Sequence, residues 1–251
     1  MSESLQNDAG STGGRLLWLD IARTAALLGM VVFHFFHDLE IFGILPRGTT
    51  VTGGWDVFSS LVAGSFLFIA GISFRLAHGG GVRWRSFLRR FVVLCLAAAL
   101  VSLATFVVFP ENFIRFGILH CIALSGVLGL LCLRLPAVVN AGLAIVFMMA
   151  PDHLRSDLFN ADLLLWTGLA TATPPALDYI PVLPWSGLFL AGLAAAQMLR
   201  PGRHRPGVAL SAPYAKGAAF LAWPGRHSLT IYLLHQPILL GLIWTGVTLV
   251  S

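Results

Sequence analysis

Long apolar runs separated by short polar joints dominate the chain. Runs close to the length that carries a helix across a bilayer core occupy residues 16–36, 57–74, 87–109, 116–133, 183–199 and 229–250. Two shorter runs lie at 137–150 and 163–171. Backbone polar groups cannot stay unpaired in hydrocarbon, so the spanning runs are helices. The first is as long as a full span and has no small-x-small cleavage site after it, so it reads as a retained helix and not a signal peptide. The pattern predicts an all-α polytopic membrane helix bundle.

Composition agrees. Hydrophobic residues make up 57% of the chain and charged ones 11%, where a soluble domain carries about 25% charge. With a mean hydropathy of +0.83, an ordinary cytosolic protein and a disordered chain are both excluded. The net charge of +5 does not indicate nucleic acid. Lys216 is the sole lysine and the arginines gather between apolar runs, so topology accounts for the charge. Cys95, Cys121 and Cys132 lie inside apolar stretches with no CxxC or zinc spacing, and read as small buried hydrophobes. No metal is expected.

Charge also sets the number of crossings. Five basic residues sit between Arg75 and Arg90 (Arg75, Arg83, Arg85, Arg89, Arg90), and five between Arg200 and Arg226 (Arg200, Arg203, Arg205, Lys216, Arg226). The positive-inside rule wants both segments cytoplasmic. One of the two short runs must then span. We assign that role to 137–150, bounded by Pro136 and Pro151. The run 163–171, followed by Pro174 and Pro175, becomes a short re-entrant or interfacial segment at the outer face. The result is seven transmembrane helices, with the amino terminus cytoplasmic and the carboxyl terminus outside. With Arg15 and Arg134, twelve of the sixteen basic residues then face the cytoplasm. A polar tail, 1–14, precedes a single domain, 15–251.

Ionisable residues inside a span are costly and mark functional candidates. The first run carries Asp20, Arg23, His34, His37 and Asp38, and at 100° per residue all five fall within an arc of roughly 100°. Arg23 and His34 are separated by about 16 Å along the axis at 1.5 Å per residue. Helix capping by Asp20, snorkelling by Arg23 and headgroup placement of His37 and Asp38 would explain four of the five. His34 and the shared face remain. His120 and His235 also fall within apolar runs, and three intramembrane histidines suit proton handling or nucleophilic chemistry. His78, His153, His204 and His227 lie in loops or at span ends and read as surface residues. In Gly225-Arg226-His227-Ser228, Ser228 is placed to cap the last helix, where free amides, helix dipole and Arg226 attract an anion. Asp178-Tyr179-Ile180-Pro181-Val182-Leu183-Pro184-Trp185 is a stiff entry to the sixth span, its Trp suited to anchor the interface.

At these residues the chain resembles the bacterial relatives of the catalytic domain of heparan-alpha-glucosaminide N-acetyltransferase, within a wider group of transmembrane acyltransferases. The resemblance rests on Leu19-Asp20, Arg23, Met30, His34 and Asp38, then on Phe66-Leu67-Phe68-Ile69-Ala70-Gly71-Ile72-Ser73. It continues through Phe116-Gly117-Ile118-Leu119-His120, Asp178-Tyr179 to Pro184-Trp185, and Gly225-Arg226-His227-Ser228-Leu229 through His235-Gln236-Pro237. The Arg23–His34 spacing also resembles the first-span signature of the acyltransferase-3 family. Where the family usually has glycine after the arginine, this chain has Thr24. Residues 39–54 hold no histidine, so the catalytic histidine expected in that loop falls to His34 or His37.

The resemblance implies a multi-pass enzyme of a bacterial inner membrane. It would move an acetyl or other acyl group from cytoplasmic acyl-CoA to an amine or hydroxyl of a sugar or glycan on the far side. On that reading Arg23, Arg75, Arg89, Arg90, Arg226, Ser228 and His235 hold the acyl-CoA. His34, His37, Asp38 and His120 supply the acid–base chemistry, with Asp38 orienting His34, and Asp178 and Trp185 meet the acceptor. The bilayer is the surrounding partner, and a homodimer stays open. A proton-coupled solute transporter would use the same intramembrane set without CoA. A haem cytochrome would use His34, His120 or His235 as axial ligands, although no haem is expected. A retinal protein needs a lysine in its last span, and Lys216 precedes it.

Overall fold

The computed structural model describes residues 17–199 and 212–250. The polar tail 1–14, Arg15, and the basic residues Arg200, Arg203 and Arg205 lie outside the described residues. All seven runs assigned as spans are helices. They are α1 (Leu17–Ile41), α2 (Gly53–His78), α3 (Trp84–Val108), α4 (Ile118–Cys132), α5 (Ala137–Leu154), α6 (Val182–Met198) and, last in the chain, α8 (Ser228–Val250). Five of them (α1, α2, α3, α5 and α8) are long and apolar enough to cross a membrane, and α4 and α6 are shorter apolar helices. The protein is a polytopic membrane bundle.

Residues 163–171 hold no α-helix. A six-residue 3-10 helix, Asp162–Thr167, closes at Gly168, whose φ of 83° is open to glycine without strain. At about 2 Å per residue such a helix is far too short to cross the hydrocarbon core. The stretch between Arg200 and Arg226, read from sequence as a basic cytoplasmic segment, holds a further helix, α7 (Ala212–Arg226). Hydropathy missed it because alanine, glycine and two prolines dilute its apolar signal, although Ala222 is completely buried.

The core sits around α6. Phe189, Leu190 and Leu193 are at most 1% exposed and pack with Leu67 and Phe74 of α2, Cys121 of α4 and Ala144 of α5. Two glycines let α2 and α6 cross at backbone contact. A Cβ at Gly71 would overlap the Phe189 carbonyl oxygen, and one at Gly192 the Phe68 carbonyl oxygen. Close approach through small residues is how helices associate where lipid removes the hydrophobic drive. On α3 the packing is one-sided. Ala97 and Ala98 are buried while Leu96, Leu100, Leu103 and Val107 are more than half exposed, the pattern of a lipid-facing helix.

Helix α1 carries the ionisable face. It packs on α2, α7 and α8, so its polar positions are covered from two sides. Next to α4, Asp178 accepts the Ile118 N–H at 2.9 Å, and the Ile180 N–H donates to the Phe116 carbonyl at 3.0 Å. These bonds tie the segment before α6 to the start of α4.

Candidate active site

Asp20 organises the first part of the site. It is 2% exposed, and its Oδ1 accepts from Arg23 Nη1 at 2.7 Å while its Oδ2 accepts from Arg226 Nε at 3.3 Å. Its position in the first turn of α1 therefore serves an ion-pair bridge, and not only the helix end. Arg23 Nη2 donates to Ser73 Oγ of α2 at 2.6 Å, and that hydroxyl donates to the Ile69 carbonyl at 2.6 Å. Thr24 is used as well. Its Oγ1 accepts the Gly225 N–H at 2.9 Å and donates to the Asp20 carbonyl at 3.1 Å. A Cβ at Gly225 would overlap that same Asp20 carbonyl, so the α7–α8 joint lies flat against the start of α1.

Beside this bridge opens a cavity of about 590 Å³, bounded by Asp20, Arg23, Ser73, Arg90, Arg226 and Ser228, with Tyr232, Ile118 and Leu119 also on its wall. Its size is within the range of small-molecule sites, about 300–1,000 Å³. Three guanidinium groups face one carboxylate there, and Arg23 and Arg90 are near enough for their charges to repel. Helix α8 begins at Ser228, so its unpaired amides and positive dipole end open on the same space. The cavity thus joins a cationic end at Arg23, Arg90 and Arg226 to apolar wall residues such as Ile118 and Leu119.

The second part lies further along the same two helices. His34 of α1 and His235 of α8 have ring centroids 5.0 Å apart, tilted by 58°. One turn on, Gln236 Nε2 donates to Asp38 Oδ1 at 2.6 Å, and Asp38 is fully buried. His235 Nδ1 sits 2.5 Å from the Tyr232 carbonyl oxygen. His37 Nδ1 lies 2.7 Å from Thr50 Oγ1, which donates to Glu40 Oε2 at 2.7 Å. Glu40 also takes the N–H groups of Gly48 and Thr50, and so clasps the loop after α1.

The expected set therefore divides. Arg23, Arg90, Arg226 and Ser228 meet in the cavity. Arg75 and Arg89 do not line it. Arg89 and Arg90 are both exposed residues, but Arg90 lies on the cavity wall and Arg89 does not, and the Arg75 side chain lies over Gly79 at the end of its own helix. His235 stands with His34 and not among the arginines. Asp38 bonds Gln236 and makes no direct hydrogen bond to His34. His120 faces α3, with Nε2 3.5 Å from Ser102 Oγ and Nδ1 accepting the Gly117 N–H at 3.2 Å. Asp178 caps α4 beside Gly117. Desolvation pushes its carboxyl up to about 6, against the downward pull of the Ile118 N–H. Trp185 packs against the main core.

Sequence reasoning gave no role to Ser73, Tyr232 or Gln236. Ser73 and Gln236 stand within the quoted motifs, and their polarity inside apolar runs was the available signal.

Residues 15–237 match the family described as heparan-alpha-glucosaminide N-acetyltransferase, catalytic. The chain belongs to this family. It is a multi-pass membrane protein with an acetyltransferase domain. Neither the curated proteins nor the solved structures give a match to it.

Proposed function

We propose that the protein transfers an acetyl group from acetyl-CoA, or a related acyl group from its thioester, to an amine or hydroxyl of a sugar or glycan. The donor enters from the cytoplasmic side and the acceptor from the opposite side, in the inner membrane of a bacterium. The observation that carries this reading is the convergence of Arg23, Arg90, Arg226 and the α8 amino terminus on one cavity.

Those groups fit the phosphates of a coenzyme A thioester. Arginine forks suit phosphate oxygens, and a helix start accepts them through its free amides. Once bound, the donor supplies an activated carbonyl with a thiolate leaving group. The chain does the rest. Asp20 fixes Arg23 and Arg226 in place, and Ser73 fixes Arg23 from the other side. Tyr232 and Ile118 wall the cavity, and Tyr232 is one helical turn short of His235. His34 serves as the base that takes the proton of the attacking amine or hydroxyl. Asp178, at the α4 start, and Trp185 remain the candidates to meet the acceptor.

Titration calorimetry of detergent-purified protein with acetyl-CoA tests this. The expected result is saturable binding at micromolar to submillimolar concentration. Folded protein showing no heat at millimolar acetyl-CoA would overturn the reading.

A further inference from the structure

His235 has one nitrogen committed and one not. Its Nδ1 lies 2.5 Å from the Tyr232 carbonyl oxygen, which can only accept, so Nδ1 carries the ring hydrogen. Nε2 then bears the lone pair. That atom is buried and has no partner, and His235 is only 9% exposed. A buried acceptor without a donor costs free energy unless a ligand or a moving proton uses it. The neighbouring ring is His34, 5.0 Å away between centroids.

The next rung of the seam has the same character. Asp38 Oδ1 takes the Gln236 amide, while Asp38 Oδ2 and Gln236 Oε1 are buried without partners. The Asp38–Gln236 bond fixes the register of α1 against α8, and so the facing of His34 and His235. In the other direction along α8, Tyr232 is one turn from His235 and on the cavity wall. His235 is therefore beside His34 and one helical turn from a residue of the arginine-lined wall.

We infer that His34 and His235 form a two-histidine proton relay, in which His235 Nε2 receives the proton that His34 takes from the acceptor. The inference rests on the acetyl-transfer reading above. In the step, the acceptor nitrogen or oxygen forms a bond to the acyl carbon as the carbon–sulfur bond breaks. The acceptor's proton passes to His34, then to His235 Nε2, and from there to the leaving thiolate, which departs as the free thiol. No oxidant or reductant is needed. Asp38 and Gln236 are positioning residues that hold the two rings together.

The test uses full-length protein in nanodiscs with acetyl-CoA as donor and glucosamine as the acceptor probe, reading release of the CoA thiol. His235→Gln is expected to lower turnover at least 100-fold while leaving acetyl-CoA affinity within threefold. His235→Ala should fall equally and regain at least tenfold on addition of imidazole, a recovery that a purely structural role would not give. Should His235→Gln misfold, the imidazole response of His235→Ala decides alone. Turnover of His235→Gln within threefold of wild type overturns the relay and leaves the donor reading intact. Wild-type protein that binds acetyl-CoA yet releases no thiol with glucosamine also overturns the relay. Failure to bind acetyl-CoA overturns the functional reading, and the relay with it.

Discussion

Asp20 and Arg226, 206 residues apart in sequence, are joined by a 3.3 Å ion pair that closes the end of α7 onto the start of α1. The carboxylate is 2% exposed, while the Arg23 and Arg226 side chains are 22% and 34% exposed. The carboxylate is thus the buried member, shared between two partly exposed cations.

Asp20→Ala should therefore cost more than a surface ion pair. Removing one member of a fully buried pair costs about 3–5 kcal/mol, and partial solvation of both arginines reduces this to about 2 kcal/mol. The expected outcome is a lower unfolding temperature in detergent, with weaker acetyl-CoA binding because both guanidinium groups lose their anchor. Unchanged thermal stability would show that the bridge contributes nothing.

The arginines should separate into two groups. A hydrogen bond to a charged group contributes about 1.5–3 kcal/mol, so Arg23→Ala, Arg90→Ala and Arg226→Ala should each weaken acetyl-CoA binding by about tenfold or more. Arg75→Ala and Arg89→Ala, which lie off the cavity, should stay within about twofold on the same scale. Calorimetric titration of the five variants checks this, and equal losses across all five would make the cavity irrelevant to donor binding.

This division marks how far the sequence could be read. Apolar run length placed six helices and charge bias chose 137–150 as the seventh, and each is helical because hydrocarbon forces every backbone group to pair internally. Helical periodicity, which is local, placed Asp20, Arg23, His34, His37 and Asp38 on one face of α1. What that face meets is a long-range question. Nothing in the spacing distinguishes Arg90, which reaches the cavity, from Arg89, which does not. His235 follows Arg226 closely in sequence, yet the rise along α8 sets it beside His34 and off the arginine-lined wall. α7 was missed because its sequence is neither apolar enough nor polar enough to declare itself.

Gly225, near the end of α7, gives a sharper test of the α1–α7 closure than any charged residue. A methyl group there would overlap the Asp20 carbonyl oxygen, a backbone atom that cannot swing aside, whereas Gly241 on α8 has open space around its Cβ position. Gly225→Ala should destabilise by about 1–3 kcal/mol through overpacking and loosen donor binding by shifting Arg226. Gly241→Ala should be neutral or stabilising by up to about 1 kcal/mol from helix propensity. Thermal melts and acetyl-CoA titrations of the two variants side by side provide the comparison, and equal behaviour would contradict the close contact.

Asp178 predicts a pH dependence of a definite sign. Its folded-state carboxyl is raised from 3.8 to about 6 by desolvation, with the Ile118 N–H opposing. A raised acid pKa means that the folded state holds the proton more tightly than the unfolded chain. The Asp178 contribution to stability is therefore greatest below the unfolded value near 4, falls as pH rises through about 6, and is flat above that. Asp178→Asn keeps an oxygen to accept the Ile118 N–H and removes the titration. Melting temperatures of wild type and Asp178→Asn from pH 4 to pH 8, about two units either side of the titration, should diverge as pH rises, the variant gaining relative to wild type. Parallel curves across that range would mean that the carboxylate ionises at the α4 start without cost. The amide groups of that helix turn, rather than burial, would then govern the site.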